Sequence, residues 1–265
     1  VLKPGNKDDE RRIAMNKKNW TLVILAIVVA AMLLACSITI NPAAFSNPIR
    51  SSGKIVTETR PVSGFSTIQL AGSGQMTLDQ GPAESLTIEA DENVLPHIIT
   101  EVNGTTLVIR PEASFNVLSG QTIHYQVVVK DLNGLSSLGS ADITTGPISS
   151  DHLTVTVAGS GNIQFGPLNG QDVNASILGS GDLKMFGKIV SQAVKILGSG
   201  SFNGGDLQSA SANVNIAGSG DVTLWVTDSL SATILGSGNV LYYGSPALSS
   251  STIGSGDLKP LGEHK

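Results

Sequence analysis

The segment Ala175-Ser176-Ile177-Leu178-Gly179-Ser180-Gly181-Asp182-Leu183-Lys184-Met185 decides the fold. Ala175 and Ile177 before the glycines, and Leu183 and Met185 after them, are apolar at every second position, as in a β-strand with one buried face. Between the two strands, Gly-Ser-Gly tolerates the positive φ that a tight corner demands. The segment recurs. Gly-Ser-Gly occurs seven times, beginning at Gly72, Gly159, Gly179, Gly198, Gly218, Gly236 and Gly254, and Gly139-Ser140-Ala141-Asp142 is a degenerate eighth copy. From Gly139 the intervals are 20, 20, 19, 20, 18 and 18 residues. A near-constant period of this size marks a solenoid, whose repeats bury their apolar side only by stacking on one another.

Aligned on the first glycine, the copies share their apolar columns. Two residues before it stand Leu70, Val157, Ile177, Ile196, Ile216 and Ile234; four after it stand Met76, Ile143, Ile163, Leu183, Phe202, Val222, Val240 and Leu258. A strand, a glycine corner, a second strand and a looser return make one rung, and propeller blades need about 40 residues or more. The expected fold is all-β: a single-stranded parallel β-helix (β-solenoid) with about 20-residue rungs. At its end Thr252 replaces the isoleucine, and Lys259-Pro260 blunts the last edge. Residues 51–135 are less regular. Strands are expected at 55–59, 65–70, 85–90, 98–102, 106–109 and 123–129, with a hairpin turn at Asn103-Gly104 and a short turn at Asp91-Glu92-Asn93-Val94. This half is read as the broader start of the same solenoid, so residues 51–265 form one domain.

The first 50 residues differ in composition. Lys17 and Lys18 precede an uncharged apolar run at 22–35, and Cys36, the chain's one cysteine, follows it. A basic start and a short apolar run ending at a small residue make an export signal. Leu33-Leu34-Ala35-Cys36 resembles the bacterial lipobox, with Cys36 as the lipidated residue, although Leu34 departs from the usual small residue. The alternatives are an uncleaved anchor, since residues 22–40 are just long enough to span a bilayer, and an ordinary cleaved signal. Residues 1–36 are thus an extension with a signal or anchor, and 37–50, with Pro42 and Pro48, a linker. The basic residues precede the apolar run, which places the β-domain outside the cell. Beyond residue 36 there are 10 basic and 18 acidic side chains. That acidic balance argues against nucleic acid as a partner.

Repeats and export signal together resemble the bacterial head GIN domain family, described as auto-transporter adhesins. The resemblance rests on Arg60-Pro61-Val62-Ser63-Gly64-Phe65 with Ile68, on Leu86-Thr87-Ile88-Glu89-Ala90-Asp91-Glu92-Asn93, on Leu107-Val108-Ile109 and on the Gly-Ser-Gly-Asp/Asn rungs. It covers about residues 52–260, with Asp91-Glu92-Asn93 as its most specific part. It implies a β-helical envelope protein of lipoprotein type and no established activity.

Chemistry is sparse. Third after each first glycine come Asp142, Asn162, Asp182, Ser201, Asp221, Asn239 and Asp257, in which charged and neutral residues alternate. A calcium ladder would favour carboxylates in adjacent rungs; alternation instead keeps like charges about 9.6 Å apart. These are read as corner residues making local backbone hydrogen bonds. The four histidines show no metal-ligand spacing, and no cofactor or metal is expected. Seven residues after the first glycine stand Phe186, Trp225 and Tyr243, with Gly205 between the first two. If positions four and six point inward, this column points outward and could stack on a sugar or anchor a protein; the competing reading packs the rings into a corner. The favoured function is a non-enzymatic, envelope-tethered surface module, an adhesin for a glycan or surface protein. A ligand-free structural protein and a polysaccharide-acting enzyme are the alternatives, the latter needing convergent carboxylates in a groove.

Overall fold

The computed structural model describes residues 51–112 and 123–265. Cys36, the apolar run and the linker therefore lie outside the described residues. Within them the only helical element is a single 3-10 turn, Leu95–His97, and eighteen strands form one continuous sheet.

The alternation read at each corner becomes a stack of parallel ladders. The first ladder holds the strands leading into the corners: β2 (Thr67–Gly72), β8 (Gly134–Gly139), β10 (Ile148–Gly159), the later part of β11 (Ile163–Gly179), β13 (Ser191–Gly198), the later parts of β14 (Phe202–Gly218) and β15 (Val222–Gly236), and β17 (Ala247–Gly254). The second holds the strands leaving them: β3 (Gln75–Gln80), β9 (Asp142–Thr145), β12 (Leu183–Lys188), β16 (Val240–Tyr243), β18 (Leu258–Gly262) and the starts of β11, β14 and β15. The return is itself paired: Ile148 on Leu168, Leu168 on Gly187 and Gly187 on Leu207 make a third, shorter ladder. The rung is therefore three-sided. Its register is set by the glycines, since Gly159, Gly179, Gly198, Gly218, Gly236 and Gly254 pair one on the next.

The apolar columns meet inside. Val157, Ile177, Ile196, Ile216 and Ile234 are buried from the first ladder, and Ile163, Leu183, Phe202, Val222 and Val240 from the second. Phe202 is accommodated by Gly204, where a Cβ would come 2.5 Å from its ring. Full burial of side chains this size is worth about 1.5–3 kcal/mol each, and it is available only when a neighbouring rung covers them.

The two corner glycines are glycines for different reasons. The first has positive φ, 149° at Gly179 and 138° at Gly198, a region closed to most side chains. The third fails on space: a Cβ at Gly181 would lie 2.0 Å from the Gly161 carbonyl oxygen and 2.8 Å from a Val157 methyl. The polar residue that follows links rungs rather than bonding locally. The carboxylate of Asp142 accepts the backbone N–H of Asn162 at 3.0 Å, Asn162 accepts that of Asp182 at 3.1 Å, and Asp182 that of Ser201 at 2.9 Å. Asp221, Asn239 and Asp257 repeat the pattern.

The beginning departs from a plain coil. β1 (Ile55–Arg60) runs antiparallel to β4 (Ser85–Asp91), and β4 antiparallel to β7 (His124–Val129). β5 (Ile98–Asn103) and β6 (Thr106–Pro111) form a hairpin whose loop residues are Gly104, at φ 62°, and Thr105, one position later than the Asn-Gly signal suggests. β6 pairs with β2 and β7 with β3, so the first rung lies between that level and the level of β8 and β9. The sheet is continuous with the solenoid, and its outer end is closed by antiparallel strands rather than a widening rung. Asp91 clamps this end. It accepts hydrogen bonds from Ser51 Oγ at 2.6 Å and from the backbone N–H groups of Gly53 and Asn93, both at 2.9 Å. Those donors, led by the Ser51 hydroxyl, hold its carboxyl down to about 2 against the opposing effect of burial. At the other end β17 is exposed throughout, and Ser250 and Thr252 stand where Ala232 and Ile234 are buried one rung earlier.

Candidate functional site

Trp225 and Tyr243 sit where the second ladder turns into the third. Leu224 and Val226 flank Trp225 and are buried, so the indole is forced to the outer side, where it is half-buried. Tyr243 pairs with Trp225 in the next rung and is also half-buried. Phe186, likewise half-buried, does not complete a straight column. It pairs with Asp206, whereas Trp225 pairs with Gln208. Residues 205–207 of β14 have no counterparts in β15, a bulge that shifts the register by three positions; a second irregularity between Ser209 and Ser211 returns one, so the net shift is two. Counting from the corner glycine hides the shift; the drop in rung length from 20 to 18 residues at Gly218 is its trace in the sequence. Gly205 does leave room for a ring, but for that of Tyr243, 3.5 Å from where its Cβ would be.

The bulge delivers Asp206 to the surface, and the chain's tail comes back to meet it. β18 pairs with β16, placing Gly262 beside Tyr243. Two residues later the imidazole of His264 stacks on Trp225, ring centroids 3.9 Å apart and planes 4° from parallel. Its other neighbours are the edge of Tyr243, at 5.2 Å and 81°, and Asp206 Oδ1, 3.1 Å from Nε2. A cavity of about 410 Å³ opens beside them, lined by Asp206, Tyr243, Leu261, Glu263, His264 and Lys265. An aromatic face, a carboxylate and a second ring at right angles can hold a flat ligand that stacks on one side and donates a hydrogen bond at its edge. Asp206 and His264 were not legible as site residues. Nothing in their spacing links them, since the tail and the bulge meet only through β16 and β18.

Among the described residues no group of three or more His, Cys, Asp or Glu could hold a metal ion. No helix among them is long and apolar enough to cross a membrane.

The family model described as "Putative auto-transporter adhesin, head GIN domain" matches residues 64–246. The chain belongs to the head GIN domain family. A solved structure of a "putative adhesin" from Bacteroides fragilis is 28% identical with a TM-score of 0.78, 80% of this chain covering all of that one. A "putative lipid binding protein" from Parabacteroides distasonis is 26% identical with a TM-score of 0.70, with coverage of 81% and 100%. A "putative adhesin" from Parabacteroides merdae shares the fold at 20% identity and a TM-score of 0.65, with coverage of 82% and 100%. No curated protein matches the chain. In these solved structures the solenoid accounts for the whole of the solved chain.

Proposed function

We propose that this head GIN domain is a non-enzymatic adhesin-like module, displayed outside the cell and held to the envelope through lipidated Cys36. Its binding surface is centred on Trp225 and Tyr243, with Asp206 as the polar contact and Phe186 at the margin. The observation that carries this reading is the stacking of His264 on Trp225: the indole face is already used by a flat ring whose edge meets Asp206. A pyranose has the same needs, an apolar face for the indole and hydroxyl donors for a carboxylate. Family membership supports an adhesive rather than a catalytic role. The four lysines of the rungs, Lys184, Lys188, Lys195 and Lys259, are all exposed rather than gathered beside carboxylates in a cleft of the kind a polysaccharide-cleaving reaction needs.

The test is a glycan array with residues 51–265, comparing the wild type with Trp225→Ala and Asp206→Ala. Retained binding by both variants would remove the site from the proposal, and hydrolysis of any array glycan would favour the enzyme reading. Fatty-acid labelling of the full chain, lost in Cys36→Ser, tests the tether; equal labelling of both would remove Cys36 from it, and a retained apolar N-terminal segment in the mature protein would replace it by an uncleaved anchor.

A further inference from the structure

Immediately before each corner glycine, on the outer side of the first ladder, stands a column that burial of the core does not explain. Leu178, Leu197, Leu235 and Ile253 are 40%, 42%, 47% and 69% exposed, half of the eight large apolar side chains that the described residues leave exposed. They lie in register, with Ala158 below Leu178 and Ala217 between Leu197 and Leu235. The alanine levels are indentations. That at Ala217 is part of a shallow cavity of about 350 Å³, which Leu197 and Leu235 help to line. The rest of this face is neutral. Outward residues at three and five positions before the corner are serine, threonine, asparagine and alanine across these rungs, Lys195 excepted. A domain with 18 acidic and 10 basic side chains beyond residue 36 thus keeps one flat face nearly free of charge.

We propose that this leucine ladder is the interface of a two-fold dimer of the solenoid. A closed pair of identical chains uses the same patch on both copies, and the column is complementary to itself when one copy is inverted. With the two-fold axis parallel to the strands and between β13 and β14, Leu197 of one copy faces the Ala217 indentation of the other, and Ile253 faces Ala158. Leu178 then faces Leu235. The same pairing sets Lys195 opposite Asn215 rather than opposite itself, so no like charges meet. Six rungs at about 4.8 Å by five-residue strands at about 3.3 Å per residue give about 29 Å by about 17 Å. That is about 500 Å² on each copy and about 1,000 Å² in all, where specific interfaces begin. A lipid surface is the less suited occupant, because Lys195 is the one charged group within the five-residue patch, Asp172 stands at its edge, and the domain as a whole is acidic.

Residues 51–265 contain no cysteine, Cys36 being the only one in the chain, which makes cross-linking selective. Sedimentation velocity on this segment should give a dimer, and Leu197→Lys with Leu235→Lys a monomer of unchanged circular dichroism and melting temperature. Leu178→Cys mixed with Leu235→Cys should give a cross-linked dimer with a short bismaleimide, while either variant alone should not, because identical positions stand three rungs, about 14 Å, apart. A wild type that stays monomeric at 100 µM overturns the proposal, as does cross-linking of each variant with itself as readily as with the other. A monomer that pellets with phosphatidylcholine vesicles through these leucines would overturn it in favour of a lipid surface.

Discussion

The imidazole of His264 lies flat on the indole of Trp225 while its Nε2 reaches Asp206. Trp225 and His264 are separated by two rungs of chain, and their contact exists because β18 closes onto β16. The tail ring covers an indole that the flanking Leu224 and Val226 push outward, so it shields the tryptophan without contributing to the core. His264→Ala in residues 51–265 is therefore expected to red-shift the emission of Trp225 and raise its quenching by acrylamide. The melting temperature should barely move, since surface substitutions usually stay within about 0.5 kcal/mol. Trp20 is absent from this segment, so the signal has one source. An unshifted spectrum would mean that the tail does not occupy the indole face in solution.

Phe186 separates the register finding from the simple count. It pairs with Asp206 and stands two positions out of line with Trp225. Phe186→Ala should leave ligand affinity within about twofold, while Trp225→Ala should lower it by about tenfold or more, the scale of one aromatic stacking contact. Isothermal titration with a glycan taken from the array measures both, and equal losses would restore a continuous three-ring column.

The fold was legible because the corner motif and the apolar alternation carry the same period. Leu183 and Ile196 are buried where the pattern puts them. What escaped has physical reasons. The paired return could not be seen, since the third ladder spans only a few residues per rung and includes Pro167, Gly187 and Lys188 without an apolar alternation. The antiparallel end was hidden because β4 and β7 alternate like any half-buried strand, and direction leaves no mark on that pattern. Of the site, Trp225 and Tyr243 follow from counting, whereas Asp206 depends on a bulge and His264 on the closing of the last rung. The leucine ladder was in plain view one residue before several corners, at Leu178, Leu197 and Leu235, but exposure has to be known before a leucine there means anything.

A corner glycine and a hairpin glycine should fail for distinguishable reasons. Gly181→Ala puts a Cβ 2.0 Å from the carbonyl of Gly161, and backbone cannot yield as a side-chain tip does. Gly104→Ala meets open space at φ 62° and carries only the left-handed penalty, about 1–2 kcal/mol. Gly181→Ala should thus cost more than Gly104→Ala in urea denaturation, by about 1 kcal/mol or more. Equal midpoints would show that the rungs separate easily at the corner.

Asp91 ties pH to the end of the sheet that holds β1. Its carboxyl is lowered to about 2, chiefly by the Ser51 hydroxyl. A lowered folded-state value means that the unfolded chain takes the proton first, so the contribution of Asp91 is complete above the ordinary carboxylate range near 4. It is lost as pH falls from there through about 2. Asp91→Asn should lower stability at pH 7 and flatten the fall between pH 4 and pH 2, read from the melting temperature of residues 51–265. A wild type and variant with parallel pH profiles would show that other carboxylates govern the acid limb.

The alternating corner column supplies the sharpest electrostatic test. Asn162 both accepts the N–H of Asp182 and donates its side-chain N–H to Asp142 at 2.9 Å, so it neutralises the rung between two carboxylates. Asn162→Asp removes that donor and sets three carboxylates on consecutive levels about 4.8 Å apart. At an effective dielectric near that of a protein surface, unit charges at this distance repel by a few kcal/mol before salt screening, and solvent exposure reduces this to about 1 kcal/mol. The variant should melt below the wild type at pH 7 in low salt and recover in 0.5 M NaCl. Millimolar calcium should also restore it, because three stacked carboxylates create the cation ladder that the natural alternation avoids. If Asn162→Asp melts with the wild type under all three conditions, charge spacing is not what the alternation provides, and the side chains serve only as acceptors for the backbone of the next rung.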